Sequence, residues 1–378
     1  MTNTLPSITE CTALQGKRVL LRLDLNVPLE GGEVRNDYRL LRSLPTVNLL
    51  RNAGARVILL AHMGTGKTGD TLAPVARRLN QEFPVTFLDR LMSPENARII
   101  DAMQNGDVVL LENLRHNTGE EANDPEFARY LASFGDLYVN DAFSVSHRAH
   151  ASIVGIPAHL PSYAGLLLAE EVERLAVAFS PERPFLFILG GAKISTKMPL
   201  LKKFLDTADY VFIGGTIANN FLKAAGHEIG RSVYDETELG GLTEVLANQR
   251  LIVPSDVVVN TEAGSEVRTV DDVGAEDMIV DVGPETIRSL ERIVGTSALI
   301  VWNGPLGYYE AGFTEGTREL LSLIANAHAR SIIGGGDTVA LLDEMGSLDR
   351  FSFVSTGGGA MLDFLLNETL PGIDALKK

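Results

Sequence analysis

Three glycines followed at once by a carboxylate and a hydroxyl suit a metal bound to phosphates. The chain has this combination at Gly334, Gly335, Gly336, Asp337 and Thr338, between the apolar pair Ile332-Ile333 and the helix start Val339-Ala340-Leu341-Leu342. Glycine lets backbone N–H groups approach an anion closely, and a helix N-terminus adds a favourable field. Asp337 then stands where a Mg²⁺ bridging phosphates would find it. A second apolar run ends in the same way, at Gly357, Gly358 and Gly359. Two strands that close on glycine triplets point to a nucleotide-phosphate site at the carboxyl edge of a parallel sheet. Lys193 and Lys197 follow another strand and the pair Gly190-Gly191. Four residues apart on a helix they share a face, where like charges repel unless a polyphosphate binds between them. Gly214 and Gly215, and the stretch Trp302-Asn303-Gly304-Pro305, supply further glycine-rich strand ends, with Glu310 beyond as an acceptor for a ribose.

The first half carries a different set. Arg22, Asp24 and Asn26 alternate within the run 18–27, so a strand projects all three on one face. Other apolar runs end in His62 and Arg115, and the run 136–142 leads through Asn140 and Asp141 to His147, Arg148 and His150. Several strand ends bearing arginine or histidine suit a phosphorylated substrate with a carboxylate. His147 and His150 suggest a metal pair, but no Cys or further His accompanies them. Residues 61–68 nearly match a P-loop, with Ala61 replacing its first glycine. Gly69-Asp70-Thr71 stand where the P-loop helix continues.

These groups need strands to hold them. Short apolar runs at 18–27, 56–63, 84–88, 107–114 and 136–142 alternate with amphipathic stretches. The second half repeats this with runs at 184–191, 210–215, 251–259, 278–283, 297–305, 330–336 and 351–358. Strand–helix alternation throughout means parallel sheets covered by helices. Residues 166–179 read as one helix, ended by Pro181 and Pro184, that stiffly connects two α/β domains. The domains read as 1–162, a connecting helix over 163–180, and 181–363.

Composition narrows the function. A chain of 378 residues holds two domains, and 45% apolar with 22% charged residues is ordinary for a soluble globular protein. The formal net charge of −16 disfavours nucleic acid and acidic membrane surfaces as partners, but not small anions drawn to a local basic cluster. The single Cys11 fits a reducing compartment. No apolar stretch approaches the ~20 residues of a bilayer span, and residues 1–10 show no signal-peptide pattern. The reading is a cytoplasmic protein.

Taken together, Arg22-x-Asp24-x-Asn26-Val27-Pro28, Glu112-Asn113-Leu114-Arg115, Asn140-Asp141-Ala142-Phe143, His147-Arg148-Ala149-His150, Gly190-Gly191-Ala192-Lys193, Trp302-Asn303-Gly304-Pro305 and the two glycine triplets resemble the motifs of the phosphoglycerate kinases, in that family's order. The resemblance runs from about Arg18 to Leu376. It implies two doubly wound, Rossmann-like domains facing across a cleft, with closure expelling water, and a segment 364–378 that returns to the first domain. It implies a monomer. The first domain would bind 3-phosphoglycerate or 1,3-bisphosphoglycerate through Asp24, Asn26, Arg39, His62, Arg115 and Arg148. The second would hold Mg·ATP or Mg·ADP through Lys193, Lys197, Gly214, Gly215, Asn303, Pro305, Glu310, Gly335, Gly336, Asp337 and Thr338, with Asp337 on the metal. Arg39, Lys193 and Lys197 would be the catalytic groups.

Two positions depart from the family pattern. Ala61-His62-Met63-Gly64-Thr65-Gly66 stands where the family reads Ser-His-Leu-Gly-Arg-Pro, and the absent arginine binds substrate there. Lys67 is the only cation of this loop. Gly214-Gly215-Thr216 stands where the family tends to have three glycines. Two alternatives remain beside phosphoryl transfer to 3-phosphoglycerate. One is a same-fold kinase for another small phosphorylated carboxylate, motivated by Thr65. The other is a nucleotide-binding paralogue that senses without catalysing, which the intact Arg39, Lys193, Lys197 and Asp337 argue against.

Overall fold

Runs of Val, Ile, Leu and Phe that are buried on both faces become short central strands, and the amphipathic stretches between them become covering helices. The computed structural model describes residues 5–67, 69–236 and 241–377. It divides into two compact units, Met1–Glu173 with Thr369–Lys378, and Arg174–Glu368. Among the described residues no helix is long and apolar enough to cross a membrane.

The first unit runs β1 (Arg18–Arg22), the hairpin β2 (Leu29–Glu30) and β3 (Glu33–Val34), α1 (Tyr38–Asn52), β4 (Arg56–Leu60), α2 (Ala73–Leu79), β5 (Thr86–Leu88), α3 (Pro94–Asp101), β6 (Val108–Leu111), α4 (Pro125–Ala132), β7 (Leu137–Asn140), β8 (Ser162–Ala164) and α5 (Leu166–Ala176). Its six-stranded sheet has the order β5-β6-β4-β1-β7-β8, with every pair parallel. The chain moves from β1 to β4 on one side and later to β7 on the other, so β1 and β7 flank a topological switch point. Register levels the strand exits there, since Arg22 pairs with both Leu60 and Asn140. Helix starts obey local chemistry. Asp124 caps α4 by accepting from the Phe127 N–H at 2.8 Å, with Pro125 at the first helical position.

The second unit runs β9 (Phe185–Leu189), α6 (Ile194–Thr207), β10 (Tyr210–Ile213), α7 (Gly215–Ala225), α8 (Leu242–Leu246), β11 (Leu251–Ile252), β12 (Asp256–Thr261), β13 (Gly264–Thr269), β14 (Met278–Val282), α9 (Pro284–Thr296), β15 (Leu299–Asn303), α10 (Glu315–Ala325), β16 (Arg330–Gly334), α11 (Gly336–Glu344), β17 (Phe353–Val354) and α12 (Gly359–Asn367). The last helix, α13 (Pro371–Leu376), belongs to the first unit. The main sheet is again all parallel, β11-β10-β9-β15-β16-β17, with its switch point between β9 and β15. A separate antiparallel sheet has the order β13-β12-β14. The main core is aromatic where β9 meets α6, with Phe187 and Phe204 stacked at 4.0 Å between ring centroids.

Three local expectations differ from the structure. The strand in 18–27 ends at Arg22, so Asp24 and Asn26 lie beyond it rather than on one strand face. The chain tightens there, with the Val27 N–H donating to the Leu25 carbonyl at 3.0 Å. The helix in 166–179 is α-helical to Ala176 and closes in a 3₁₀ turn over Val177–Phe179, and the division between units falls inside α5. Lys193 precedes α6 in a left-handed conformation, φ 59°, so it shares no helix face with Lys197.

Candidate active site

At the first unit's switch point, side chains from loops far apart in sequence meet. Arg39, near the start of α1, donates to Asp24 Oδ2 at 3.0 Å and to the Asn26 carbonyl at 3.4 Å. The Ser144 hydroxyl donates to the same Asp24 oxygen, and the Asn26 N–H donates to Oδ1 at 3.1 Å. Burial alone would raise the Asp24 carboxyl, but Arg39 with these hydrogen bonds brings it below the usual carboxylate value. Asn26 in turn accepts from the Gly64 N–H at 2.9 Å, which ties the exit of β1 to the loop after β4.

His62, buried at the end of β4, takes an Arg22 guanidinium N–H at 3.3 Å on its Nδ1. Burial, with Arg22 and then Arg115 and Arg148 outweighing Asp24, lowers its pKa to about 3. The ring is held neutral, with Nδ1 as the acceptor of the Arg22 N–H. Arg115 donates to the Gly64 carbonyl and pairs with Glu121 at 3.1 Å. Arg148 donates to His147 Nε2 at 3.3 Å. Arg39, Asp24 and Asn26 are thus linked through their bonds, while Asp24, Arg115 and Arg148 act on His62 through their charge. No spacing signal marks Ser144, which sits in the 3₁₀ turn Phe143–Val145 after β7.

The loop after β4 is not a P-loop. Asp70 accepts from the Thr65 N–H at 2.9 Å and the Lys67 N–H at 3.2 Å, which folds Thr65 and Lys67 toward its carboxylate, and α2 begins only at Ala73. Thr68 lies outside the described residues. Gly66 has φ 78°, and a Cβ there would stand 2.4 Å from the Arg115 carbonyl oxygen, so a proline cannot occupy this loop shape.

In the second unit the exits of β9 and β15 touch. A Cβ on Gly190 would lie 2.2 Å from the Pro305 carbonyl oxygen, so only glycine allows the approach. Beside this contact opens a cavity of about 300 Å³. Its deeper wall is apolar, with Leu222, Val257, Met278 and Val280. Its mouth carries Gly215, Pro305, Tyr308, Glu310 and Asp337. Lys197 Nζ donates to the Gly190 carbonyl at 2.6 Å. Burial lowers its pKa to about 8, against the opposing charge of Asp337. The Asp337 carboxyl is raised by desolvation and then by Glu310, with Lys197 opposing. Gly335, φ 99°, precedes α11, which opens on Gly336, Asp337 and Thr338. The Thr338 hydroxyl is buried at this helix start without a hydrogen-bond partner, as a group held for a ligand would be.

Not every expected residue lines the cavity. The Asn303 amide donates weakly to the Gly358 carbonyl at 3.4 Å and faces the Met361 sulfur at 3.5 Å, on the side of α12. Lys193 is exposed before α6, and Gly214 packs against Leu306. Trp302 is fully buried, with its indole N–H donating to the Gly304 carbonyl at 2.7 Å.

Two doubly wound units, one with a cationic cluster and one with a glycine-lined cavity at the strand exits, define an α/β kinase of small molecules. The family model described as phosphoglycerate kinase matches residues 8–368. A phosphoglycerate kinase of Dictyoglomus turgidum is 44% identical over 381 residues, covering 96% of each chain. Among solved structures, phosphoglycerate kinase from Coxiella burnetii superposes with a TM-score of 0.84 at 39% identity, over 99% of this chain and 98% of that one. The enzyme from Pyrococcus horikoshii OT3 gives 0.89 at 30% identity, over 98% of both. The chain belongs to the phosphoglycerate kinase family.

Proposed function

We infer that this chain catalyses reversible phosphoryl transfer from ATP to the carboxylate of 3-phosphoglycerate, giving 1,3-bisphosphoglycerate and ADP. An acceptor carboxylate oxygen forms the new bond to the γ-phosphorus, and the bond to the β,γ-bridging oxygen breaks with its electrons leaving on ADP. The observation that carries this reading, beside family membership, is the neutral buried His62 set among arginines. The acceptor is already ionised at pH 7, so the chemistry needs charge neutralisation and alignment, not a general base.

Asp24, Asn26, His62, Arg115 and Arg148 are assigned to the acceptor, with His62 as a donor. Arg39 and Lys197 are assigned to the charge on the transferred group, and Lys193 to the nucleotide phosphates. Gly215 and Pro305 form the nucleotide wall in this reading, with Gly214 and Asn303 supporting it from behind, and Glu310 binds the ribose. Gly335, Gly336 and Thr338 offer the α11 N-terminus to phosphate. The residues fit a Mg²⁺, since Asp337 supplies an oxygen ligand beside the orphaned Thr338 hydroxyl. Bound there, Mg²⁺ would neutralise the β- and γ-phosphates.

One chain carries both sets, so the protein is proposed to act as a monomer. The free Cys11 agrees with a reducing, cytoplasmic setting. A coupled assay with ATP, Mg²⁺ and 3-phosphoglycerate tests the assignment. Turnover with a different phosphorylated carboxylate but not with 3-phosphoglycerate would transfer the reading to another acceptor. Nucleotide binding without turnover on any acceptor would leave a sensor.

A further inference from the structure

Behind His62 lies a group of buried charges that the assignment above does not use. Arg22 is 1% exposed and Glu120 is fully buried, with 3.9 Å between their charged atoms. Ser152 joins them. Its hydroxyl accepts from Arg22 Nε at 2.8 Å and donates to Glu120 Oε1 at 2.6 Å, while its N–H donates to Oε2 at 3.0 Å. Arg22 Nη1 donates to the Leu23 carbonyl, which leaves Nη2 directed at His62 Nδ1. Each polar arm of the guanidinium is fixed by a different partner.

A guanidinium only donates, so His62 Nδ1 must keep its lone pair and the ring proton must sit on Nε2. We propose that Arg22, anchored by Glu120 and Ser152, is the positioning residue that fixes His62 in its Nε2–H tautomer. His62 thereby remains a donor to the acceptor substrate and never becomes a competing base. The inference rests on the substrate reading of His62 given above, but the tautomer can be measured without it. Burial supports the arrangement, because the buried Arg22 guanidinium needs a partner of opposite charge, and Ser152 bridges it to Glu120. The charged groups acting on the ring are Arg22 and Asp24 at β1 and its exit, Arg115 after β6 and Arg148 after β7.

The test is a two-bond ¹H–¹⁵N spectrum of the whole protein labelled in histidine, with a His62→Gln sample identifying the resonance. The expected ring has a bare Nδ1 and a protonated Nε2, unchanged from about pH 8 to about pH 5. A proton on Nδ1, or a doubly protonated ring at about pH 6, overturns the proposal. The paired variant Arg22→Met/Glu120→Gln removes both buried charges together. It should free the tautomer, so that part of the ring population carries its proton on Nδ1, and raise the KM for 3-phosphoglycerate roughly tenfold with that for ATP unchanged. A wild-type ring and wild-type KM in that variant would show that Arg22 positions nothing. The wild-type spectrum decides the tautomer even where the variant fails to fold. Saturation with 3-phosphoglycerate should also move the Nε2 signal. A static signal with the expected tautomer supports the role of Arg22 and overturns instead the substrate role of His62.

Discussion

Lys197 is a cation held on the edge of losing its charge. Burial lowers its pKa to about 8, and its ammonium is tied to the Gly190 carbonyl. Only the charged form attracts phosphate, so nucleotide binding should weaken as pH rises through about 8. The KM for ATP should climb by up to about tenfold per pH unit above that point, while Lys197→Arg should flatten the profile because arginine stays charged. A wild-type KM constant from pH 7 to 9.5 would contradict this. Lys197→Met should lower kcat by roughly 10²–10³-fold if the ammonium meets charge that develops during transfer. Lys67 poses a different question at the same scale. Its backbone N–H serves Asp70, and its exposed ammonium has no ion-pair partner among the described residues. It is therefore available to replace the arginine that the family carries where this chain has Thr65. Lys67→Ala should raise the KM for 3-phosphoglycerate by roughly tenfold, since a charge-assisted hydrogen bond is worth ~1.5–3 kcal/mol. Thr65→Arg should lower it, with the KM for ATP unmoved by either change. Steady-state kinetics that find the 3-phosphoglycerate KM indifferent to Lys67→Ala would end the compensation idea.

At the scale of elements, two buried aspartates sit at helix starts. Asp141 accepts from the Leu168 N–H at 3.0 Å at the beginning of α5, and Asp281 accepts from the Gly316 N–H at 2.9 Å at the beginning of α10. A helix N-terminus favours the ionised form, yet burial wins at both and raises each pKa to about 6. Raised folded pKa values mean that the native state holds these protons more tightly than the unfolded chain. The stability they contribute is complete below the unfolded value near 3.8 and is lost as pH rises through about 6. The effect is on the order of 3 kcal/mol each at most. Asp141→Asn and Asp281→Asn should therefore gain stability relative to wild type between pH 4 and pH 7. Urea melts of the paired variant that parallel wild type across this range would disprove it. Asp141 was visible in the sequence as part of a motif, but the contact that either carboxylate makes with a helix start was not, because nothing in the spacing ties Asp141 to α5 or Asp281 to α10. The strand exits themselves were legible, since parallel strands bring Asp24, His62 and Asn140 to one edge whatever the loops do. The antiparallel sheet was not. The run 251–259 reads as one strand, but its parts fall in two sheets, β11 and β12, separated by Pro254. β13 is polar and mostly exposed, so it has no apolar alternation to find. The Glu120–Ser152–Arg22 group was hidden for a related reason, being assembled from a strand, a turn and a short π-helical turn up to 130 positions apart.

The scale of the whole molecule adds one constraint that neither residue nor element contains. The first unit is discontinuous, since the chain leaves it within α5 and its last ten positions belong to it again. Leu370, Ile373 and Leu376 are buried there, and the Gly372 N–H donates to the Ser146 carbonyl at 2.8 Å. A Cβ at Gly372 would meet Ile153 at 2.8 Å and Ser146 at 2.9 Å, so the terminal helix presses directly on the segment that also carries Arg148 and Ser152. The cationic cluster of that unit is therefore expected to depend on the helix over Pro371–Leu376. Stopping the chain after Glu368 removes four buried apolar side chains, Leu370, Ile373, Ala375 and Leu376, worth on the order of 5 kcal/mol together as an upper estimate. It should loosen the 143–155 segment before it affects the second unit. The expected result is a first unit that melts earlier, with amide exchange fastest over 143–155. The KM for 3-phosphoglycerate should rise by tenfold or more while the KM for ATP stays within about twofold. Gly372→Val should reproduce a milder form of the same split, because it forces the helix off Ser146 without shortening the chain. If truncation instead raises both KM values equally, or leaves the exchange of 143–155 untouched, the terminal helix supports general stability and has no particular hold on the anion site.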